Sequence, residues 1–203
     1  SPADSLLPRK FPGGCLRRLR HSDLGAFQAY RSIPKLGRYQ GWSPMSEVEA
    51  LAFLVEMEAT VLFQPGQWVQ LGIAEPRTDV LVGDIGLRLS DDSQTGEVGF
   101  TLAPSAQGRG VASAAVQEAL QLLFTATPVS RIFGITDARN TPSVRLLERL
   151  GFECQEIRNA VFRGEECSEQ VFALPRVTAN KGAAANRRPA LQSNRSDNFV
   201  SDG

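Results

Sequence analysis

APSAQGRGVASAAVQEALQLLF, residues 103–124, joins a glycine-rich turn to an apolar run near the middle of the chain. Pro104, Gly108 and Gly110 interrupt regular structure, and a run of small and apolar residues begins at Val111. A glycine-rich turn that leads directly into a helix presents unpaired backbone N–H groups and a partial positive charge. The turn therefore either holds a phosphate-bearing ligand or is a flexible connection ahead of a core helix.

The residues around this turn predict an α+β domain. Alternating or β-branched apolar residues predict strands at 15–20, 67–75, 80–89, 95–103, 130–136, 152–161 and 168–174. Helices are predicted at 22–31, 46–62, 110–126 and 140–150, with Ser22 capping the first and Ser46 and Glu49 forming a capping box for the second. The strands between 67 and 103 form an antiparallel meander, and the strand after the 110–126 helix is expected to run parallel to its predecessor.

Length, charge and cysteine content limit the function classes. The 203 residues contain 22 basic and 22 acidic side chains, so no long-range field attracts nucleic acid or an anionic membrane. Three cysteines without a CxxC spacing and a single histidine favour neither a metal site nor a disulfide framework. Because the cysteines form no disulfide framework and no apolar stretch approaches about 18 residues, we expect a reducing, cytoplasmic setting. Residues 1–175 are expected to form one domain and 176–203, rich in Asn, Ser, Ala and Arg, a flexible tail.

Two separated motifs resemble those of a known family. QGRGVA (107–112) resembles the Q/R-x-x-G-x-G/A signature of the GNAT superfamily of acyl-CoA-dependent N-acyltransferases, and NTPSVRLLERLGF (140–152) resembles the second half of that family's cofactor site. The resemblance covers about residues 13–175 and looks most like the ribosomal-protein N-terminal acetyltransferase branch. It implies a GNAT-like, mixed and mostly antiparallel central sheet flanked by about four helices, with acetyl-CoA as co-substrate and no metal.

The resemblance also implies where acetyl-CoA binds. The pyrophosphate would meet the turn, the pantetheine arm would pair with the strand before it, and Asn140 would contact the pantetheine amide. The implied cofactor-binding residues are Phe100, Thr101, Leu102, Gln107, Gly108, Arg109, Gly110, Val111, Ala112, Asn140 and Ser143. A dinucleotide-binding turn is the other phosphate-binding candidate, but GRGVAS lacks the third small residue of GxGxxG and follows a meander.

Amide formation from a thioester requires a base for the amine and a donor for the departing thiolate. The resemblance places a carboxylate base at Glu97, whose alternative role is a solvent-facing strand residue paired with Arg88. Many family members carry a tyrosine as thiolate donor where this chain has Leu147, so Ser143 becomes the candidate donor. For Ser143 and Asn140 the alternative role is capping of the helix that begins there.

A second departure from the family pattern concerns the strand after Gly151. Members of the branch tend to carry a glutamate where this chain has Gln155, and Glu156 follows it. Neighbouring strand residues point to opposite faces, so Glu156 replaces that glutamate as a second catalytic candidate only if a bulge shifts the strand.

The acceptor pocket is expected in the loop at residues 31–44. Tyr39 and Trp42 either frame an amine there by stacking or cation–π contact, or cover the core. The acceptor is a protein N-terminus or a small-molecule amine, and no residue pattern chooses between them. Two functions fit the sequence: an N-acetyltransferase acting by direct transfer in a ternary complex, and a CoA-binding sensor that lost turnover, as Leu147 and Gln155 suggest. The sequence is also compatible with an acyl group other than acetyl. It is compatible, too, with pairing of two copies along an exposed sheet edge.

Overall fold

The described part of the chain builds one eight-stranded sheet in the order β1-β2-β3-β4-β5-β6-β8-β7. A computed structural model describes residues 4–177. The strands are β1 Arg9–Phe11, β2 Gly14–Arg18, β3 Trp68–Ala74, β4 Leu81–Leu89, β5 Thr95–Leu102, β6 Arg131–Asp137, β7 Glu153–Phe162 and β8 Glu165–Pro175. The helices are α1 Leu24–Arg31, α2 Pro34–Gly37, α3 Glu47–Ala59, α4 Val111–Ala126 and α5 Thr141–Arg149. Residues 178–203, almost all of the predicted tail, lie outside the described residues.

The predicted α+β class and the mixed, mostly antiparallel sheet are confirmed. Every strand pair is antiparallel except β5 with β6, the pair for which parallel pairing was expected. The capping box of α3 is also confirmed, because Glu49 N donates to Ser46 Oγ at 3.3 Å and Ser46 N donates to Glu49 Oε2 at 2.8 Å. The sequence did not predict β1 or the four-residue α2.

The predicted Ser22 cap of α1 is wrong. Residues 21–23 form a short 3-10 turn, and α1 begins after it at Leu24. The carboxylate of Asp23 accepts from Arg20 N at 2.8 Å and from both terminal nitrogens of Arg17 at 2.9 Å. This buried ion pair with β2 fixes the chain at Asp23, so the turn forms around that residue and not around the exposed Ser22.

Helices α4 and α5 pack on one face of the sheet. The buried side of α4 consists of Val111, Ala115, Val116, Ala119, Leu120, Leu122 and Leu123. Small residues in the strands allow this close approach: a Cβ added to Gly96 would lie 2.6 Å from Leu123, and one added to Gly134 would lie 2.7 Å from Leu147. The two helices that carry the sequence motifs are thus held directly against β5 and β6.

Helix α1 crosses the opposite face and supplies two of the three side chains that donate to a buried acid. Asp84 of β4 is fully buried and accepts from Arg31 Nη2 at 2.5 Å, from Gln70 Nε2 at 2.8 Å and from the Tyr30 hydroxyl. Burial, and the adjacent Asp84 carboxylate, raise the pKa of Tyr30 well above its usual value, so Tyr30 remains a proton donor. The guanidinium of Arg31 also lies 4.4 Å from the ring centroid of Trp42, which links this buried pair to the loop after α2.

The two parallel strands in the middle of the sheet separate after a short ladder. Within the described residues, β5 pairs with β6 only at Thr95, Gly96 and Glu97. On its other side β5 pairs with β4 up to Leu102, and β6 pairs with β8 over its whole length. The sheet is therefore continuous at both sides but divided by a wedge-shaped cleft between the carboxyl ends of β5 and β6.

Replacing Arg31 with Met is expected to lower the free energy of unfolding by about 3 to 5 kcal/mol, because it leaves the buried Asp84 carboxylate without its cation. Urea unfolding followed by circular dichroism measures this change. The control is Glu118→Gln, which breaks the partly exposed Arg9–Glu118 pair at 2.9 Å and should cost below about 1 kcal/mol. Equal losses in the two variants would mean that the Arg31–Asp84 pair does not anchor α1.

Candidate active site

The cleft between β5 and β6 gathers residues from four parts of the chain. Its walls are backbone and side chains of the two strands, its base is the first two turns of α5, and residues of the loop after α2 cover one side. The lining residues are Tyr39, Gln40, Val98, Gly99, Phe100, Gly134, Ile135, Thr136, Asn140, Ser143 and Leu147. The structure therefore brings together Tyr39, Phe100, Asn140 and Ser143, which the sequence analysis had predicted as site residues.

The glycine-rich turn lies just beyond the end of β5. Gly108 and Gly110 have φ of 76° and 75°, in the left-handed region, and Gly110 is the residue that precedes the first turn of α4. A Cβ added at either position would meet no atom within 4 Å. The space in front of the α4 N-terminus is thus open, and the N–H groups of its first turn have no partner within the helix. The positive end of the helix dipole points into this space.

Two side chains of the turn bond within the protein. Gln107 Nε2 donates to the carbonyl of Leu102 at 2.9 Å, which ties the turn to the end of β5. Arg109 donates to the carbonyl of Ser105 at 2.7 Å while its side chain stays exposed at the surface. Val111 is buried and Ala112 packs on the core, so these two residues offer a ligand their backbone only.

The start of α5 presents polar groups to the cleft. Asn140 occupies the capping position but makes no side-chain capping hydrogen bond, so its predicted alternative role is not observed. Ser143 lies in the first turn of the helix, is 8% exposed and lines the cleft. Leu147 lies one turn later and packs against Gly134, at the position where many family members carry a tyrosine.

Of the three residues predicted to pair with pantetheine, only Phe100 lines the cleft. Its carbonyl accepts from Gln40 Nε2 at 3.3 Å. The hydroxyl of Thr101 accepts from Trp42 Nε1 at 3.1 Å, and Leu102 is buried in the core with its carbonyl bound by Gln107.

The loop at residues 38–42 forms a roof over one side of the cleft. Tyr39 faces the cleft with the guanidinium of Arg139 4.8 Å from its ring centroid. Trp42 does not line the cleft; it is held between Arg31 and Thr101 and supports the loop from below. Arg163, at the turn between β7 and β8, donates to the carbonyls of Gln40 at 3.3 Å and Trp42 at 2.5 Å.

Sequence reasoning missed Gln40, Arg139 and Arg163. Arg163 and Trp42 are 121 positions apart, and neither belongs to a motif or a periodic pattern. The positive φ of 52° at Arg163, followed by Gly164, marks a hairpin turn but not its contact with the roof.

Glu97 is the last residue of β5 that pairs with β6, at the point where these two strands begin to separate. It is the cross-strand partner of Arg88 on one side and of Phe133 on the other, on the face opposite α4. Burial raises the pKa of the Glu97 carboxyl above its ordinary value of 4.5, while the nearby charges of Arg88 and Arg158 act against this shift. The ion pair that Arg88 makes is with Asp91 at 3.6 Å, so the predicted alternative of a simple Glu97–Arg88 surface pair is not observed.

A bulge sets the face on which Glu156 lies. The register of β7 against β8 shifts between Cys154 and Glu156, so that Glu156 stands opposite Val171 and Gln155 is extruded. Since Val171 pairs with Ile135 of β6, Glu156 shares the face of Glu97. Strands β6 and β8 separate β7 from β5, which puts the two carboxylate-bearing strands about 14 Å apart at usual strand spacing. Glu156 is exposed at the sheet edge.

Two further features are absent from residues 4–177. There, no set of three or more histidine, cysteine or carboxylate side chains comes together in a way that could hold a metal ion. None of the helices in that range combines the length and the apolar composition required to cross a membrane.

Comparison with known proteins adds an independent line of support. Residues 15–153 match a family described as "Acetyltransferase (GNAT) domain". A curated relative, the uncharacterized N-acetyltransferase p20 of Bacillus licheniformis, is 29% identical over 139 residues, which cover 68% of this chain and 78% of the relative.

Solved structures share the fold. A GNAT-family acetyltransferase from Bacillus anthracis superimposes with a TM-score of 0.74 at 21% identity, covering 83% of this chain and 98% of that one. The spermidine N-acetyltransferase of Vibrio cholerae, solved with CoA and spermine, gives 0.70 at 19% identity, covering 81% and 96%. The ribosomal-protein alpha-N acetyltransferase RimL, solved with coenzyme A, gives 0.69 at 15% identity, covering 81% and 95%.

Replacing Gly110 with Ala is expected to lower the free energy of unfolding by about 1 to 2 kcal/mol, because a residue with a Cβ is strained at positive φ. Gly25→Ala is the matched control: Gly25 is an exposed residue of α1 with open space around it, and alanine there should stabilise the fold by about 0.5 to 1 kcal/mol. Urea unfolding of both variants provides the test. A neutral Gly110→Ala would show that the turn does not adopt the left-handed conformation in solution.

Proposed function

Since the chain belongs to the GNAT acetyltransferase family and is an N-acetyltransferase, we propose that it moves the acetyl group of acetyl-CoA directly to a primary amine, with both substrates bound at once. The observation that carries this proposal is the continuity of the cleft. Val98, which lines the cleft, directly follows Glu97, and Phe100, which also lines it, lies two residues before the end of β5, from which the turn leads into α4. A phosphate-bearing thioester and an amine would thus approach the same point from opposite directions.

Acetyl-CoA is the proposed co-substrate, and the residues present fit it. The turn at residues 107–112 would bind the pyrophosphate through backbone N–H groups, with the exposed Arg109 adding a positive charge. The pantetheine arm would lie along Phe100, Thr101 and Leu102 of β5, taking the carbonyl of Phe100 that Gln40 now occupies. The uncommitted amide of Asn140 would bind the arm from the α5 side. Coenzyme A in the structures of RimL and the spermidine acetyltransferase supports this choice of ligand.

The proposed chemistry needs no covalent enzyme intermediate. The neutral amine attacks the thioester carbon, a C–N bond forms, and the C–S bond breaks. The proton of the resulting ammonium passes to the Glu97 carboxylate, directly or through a water molecule. The CoA thiolate leaves with a hydrogen bond from the Ser143 hydroxyl, since Leu147 has no proton to donate. Glu156 lies on the same face of the sheet as Glu97 but on the edge strand β7, so it would receive the proton through solvent.

Several finer parts of the proposal rest on the sequence pattern. Asn140, Ser143 and the Leu-Gly-Phe segment at 150–152 support the ribosomal-protein acetyltransferase branch. The acceptor is a protein N-terminus or a small-molecule amine, with Tyr39 in contact with it and Trp42 acting through the loop that it supports. All three cysteines are free, which supports a cytoplasmic setting. Strand β7 is the last in the sheet and is exposed, which supports pairing of two copies along it.

The alternative function is a CoA-binding sensor without turnover, and the observation that favours it is Leu147 at the position of the usual tyrosine. Thermal unfolding with acetyl-CoA, dephospho-CoA and NAD, together with CoA release over a panel of amines, separates the two functions. Acetyl-CoA at about a hundred times its dissociation constant should stabilise the fold by about 2.7 kcal/mol, a rise of about 5 to 10 °C. Stabilisation without CoA release from any amine would indicate the sensor. No stabilisation would contradict both.

Glu97→Gln is expected to lower kcat by about 10²- to 10⁴-fold, because the amide cannot accept the proton of the amine. The thermal shift with acetyl-CoA should be unchanged. Steady-state CoA release measures the rate, and Glu56→Gln, at an exposed position of α3, serves as the control. Retention of full activity in Glu97→Gln would remove Glu97 from the mechanism.

The raised pKa of Glu97 predicts a pH dependence for stability. The folded state keeps the Glu97 proton at pH values where the unfolded chain has released it, so Glu97 lowers the free energy of unfolding as pH rises from 4.5 through its folded pKa. Glu97→Gln should therefore be more stable than the parent near pH 8, with the difference vanishing below pH 4.5. Urea unfolding at both pH values tests this, and kcat/KM should rise with pH through the same raised pKa, because kcat/KM reports ionisations of the free enzyme.

A further inference from the structure

A row of four side chains crosses the sheet on the face opposite α4. Trp68 of β3 stands opposite Arg88 of β4, Arg88 stands opposite Glu97 of β5, and Glu97 stands opposite Phe133 of β6. Opposite residues on neighbouring strands share a face, with Cβ atoms about 4.5 to 5.5 Å apart. The candidate base is therefore one member of a continuous surface that includes a tryptophan and an arginine, neither of which has a role in the proposed chemistry.

Two glycines form the floor between this row and the cleft. Gly86 and Gly99 are opposite each other on β4 and β5, two residues away from the Arg88–Glu97 pair and therefore on the same face of the sheet. A Cβ on Gly99 would meet no atom within 4 Å, whereas one on Gly86 would lie 2.5 Å from Gln70 Oε1 and 3.2 Å from the Trp68 ring. The floor is thus open at Gly99, which also lines the cleft, and is walled by Gln70 and Trp68 on the β3 side.

Arg88 is weakly committed within the protein. Its ion pair is with Asp91 at 3.6 Å, and the Asp91 side chain is 87% exposed. Such surface pairs contribute little, about 0 to 1 kcal/mol, and are readily exchanged for a better partner. The other arginine whose charge acts on Glu97, Arg158, is bound by Glu169 at 3.0 Å. Arg88 is therefore the cation of the two that can hold an anionic group brought by a substrate.

These charges favour one class of acceptor. A polycationic amine would place its additional charges beside Arg88, which repels them. An amine with a nearby carboxylate matches the row, because guanidinium groups bind carboxylates through paired N–H donors. We propose that the acceptor is an amino carboxylate whose amine lies at Glu97, whose carboxylate binds Arg88 and whose side chain packs along the exposed Trp68. This inference rests on the proposed acetyl transfer and narrows its acceptor.

Matched acceptors test the inference on the full chain with acetyl-CoA. L-phenylalanine, L-phenylalaninamide and phenethylamine share one side chain, as do L-leucine, L-leucinamide and isoamylamine. The inference predicts kcat/KM about 10- to 100-fold higher for the free carboxylates. The amine of a carboxamide loses its proton more easily, so intrinsic reactivity alone would favour the carboxamides. Equal use of all three members, or a preference for spermidine, would overturn the inference while leaving acetyl transfer intact.

The variant Arg88→Gln tests whether Arg88 is the residue that binds the carboxylate of the acceptor. The variant should lose about 10- to 100-fold in kcat/KM for the carboxylates, mostly through KM, and change little for the carboxamides. Arg77→Gln, at an exposed position of the turn between β3 and β4, is the control. The acetyl-CoA thermal shift of each variant reports that its fold and CoA site are intact. A loss that is equal for carboxylates and carboxamides would contradict a role for Arg88 in binding the carboxylate.

A binding measurement separates failure of this inference from failure of the proposed function. Thermal unfolding of the chain with CoA, with or without each amino acid or amine, requires no turnover. Stabilisation by the carboxylates alone, lost in Arg88→Gln, would support the inference even if no CoA release were observed. Absence of stabilisation together with absence of a rate preference would overturn it. A peptide with aspartate at its second position that is preferred to both free amino acids would also overturn it, because the carboxylate would then come from a polypeptide.

Discussion

The separation of β5 from β6 is the constraint on which the rest of the site depends. In a continuous ladder each strand satisfies the backbone groups of its neighbour, but here the ladder ends at Glu97 and Phe133. Backbone groups beyond that point need other partners, since unpaired buried N–H and C=O groups are costly. Gln40 satisfies one of them, the carbonyl of Phe100. The others face a cleft in which an extended ligand with amide groups can take the place of a strand.

A second feature, the buried pair of Arg31 and Asp84, determines the shape of the roof. Arg31 neutralises Asp84 at the centre of the sheet and also lies against the ring of Trp42. Trp42 donates to Thr101, and Arg163 binds the loop from the hairpin side. The loop at residues 38–42 is therefore fastened to α1, to β5 and to the β7–β8 hairpin. Tyr39 and Gln40 are held over the cleft because the residues around them are fixed, although the loop has little regular structure of its own.

The electrostatics of the site follow from the same geometry. Glu97 is half-buried because it lies where the sheet is still continuous, and burial raises its pKa toward the range useful for a base. The helix N-terminus on the other side of the cleft carries the opposite sign of potential and suits phosphate. The two ends of the cleft thus differ in charge preference, and this difference orients two substrates relative to each other.

Features that depend on local interactions could be predicted from the sequence. The Ser46–Glu49 capping box, the glycine-rich turn before α4 and the apolar side of α4 are set by residues within a few positions of one another, so they were predicted correctly. The cleft motifs at 107–112 and 140–152 were found because each is contiguous in the chain.

Only the tertiary structure decided the features that depend on distant contacts. Helix α1 begins at Leu24 and not at Ser22 because Asp23 binds Arg17 of strand β2. Glu156 shares the face of Glu97 because a bulge forms where β7 pairs with β8. The roof contact of Arg163 with Trp42 and the row from Trp68 to Phe133 join residues from separate strands and loops. Such contacts leave no period or spacing in the sequence, because strand pairing and not chain proximity brings the residues together.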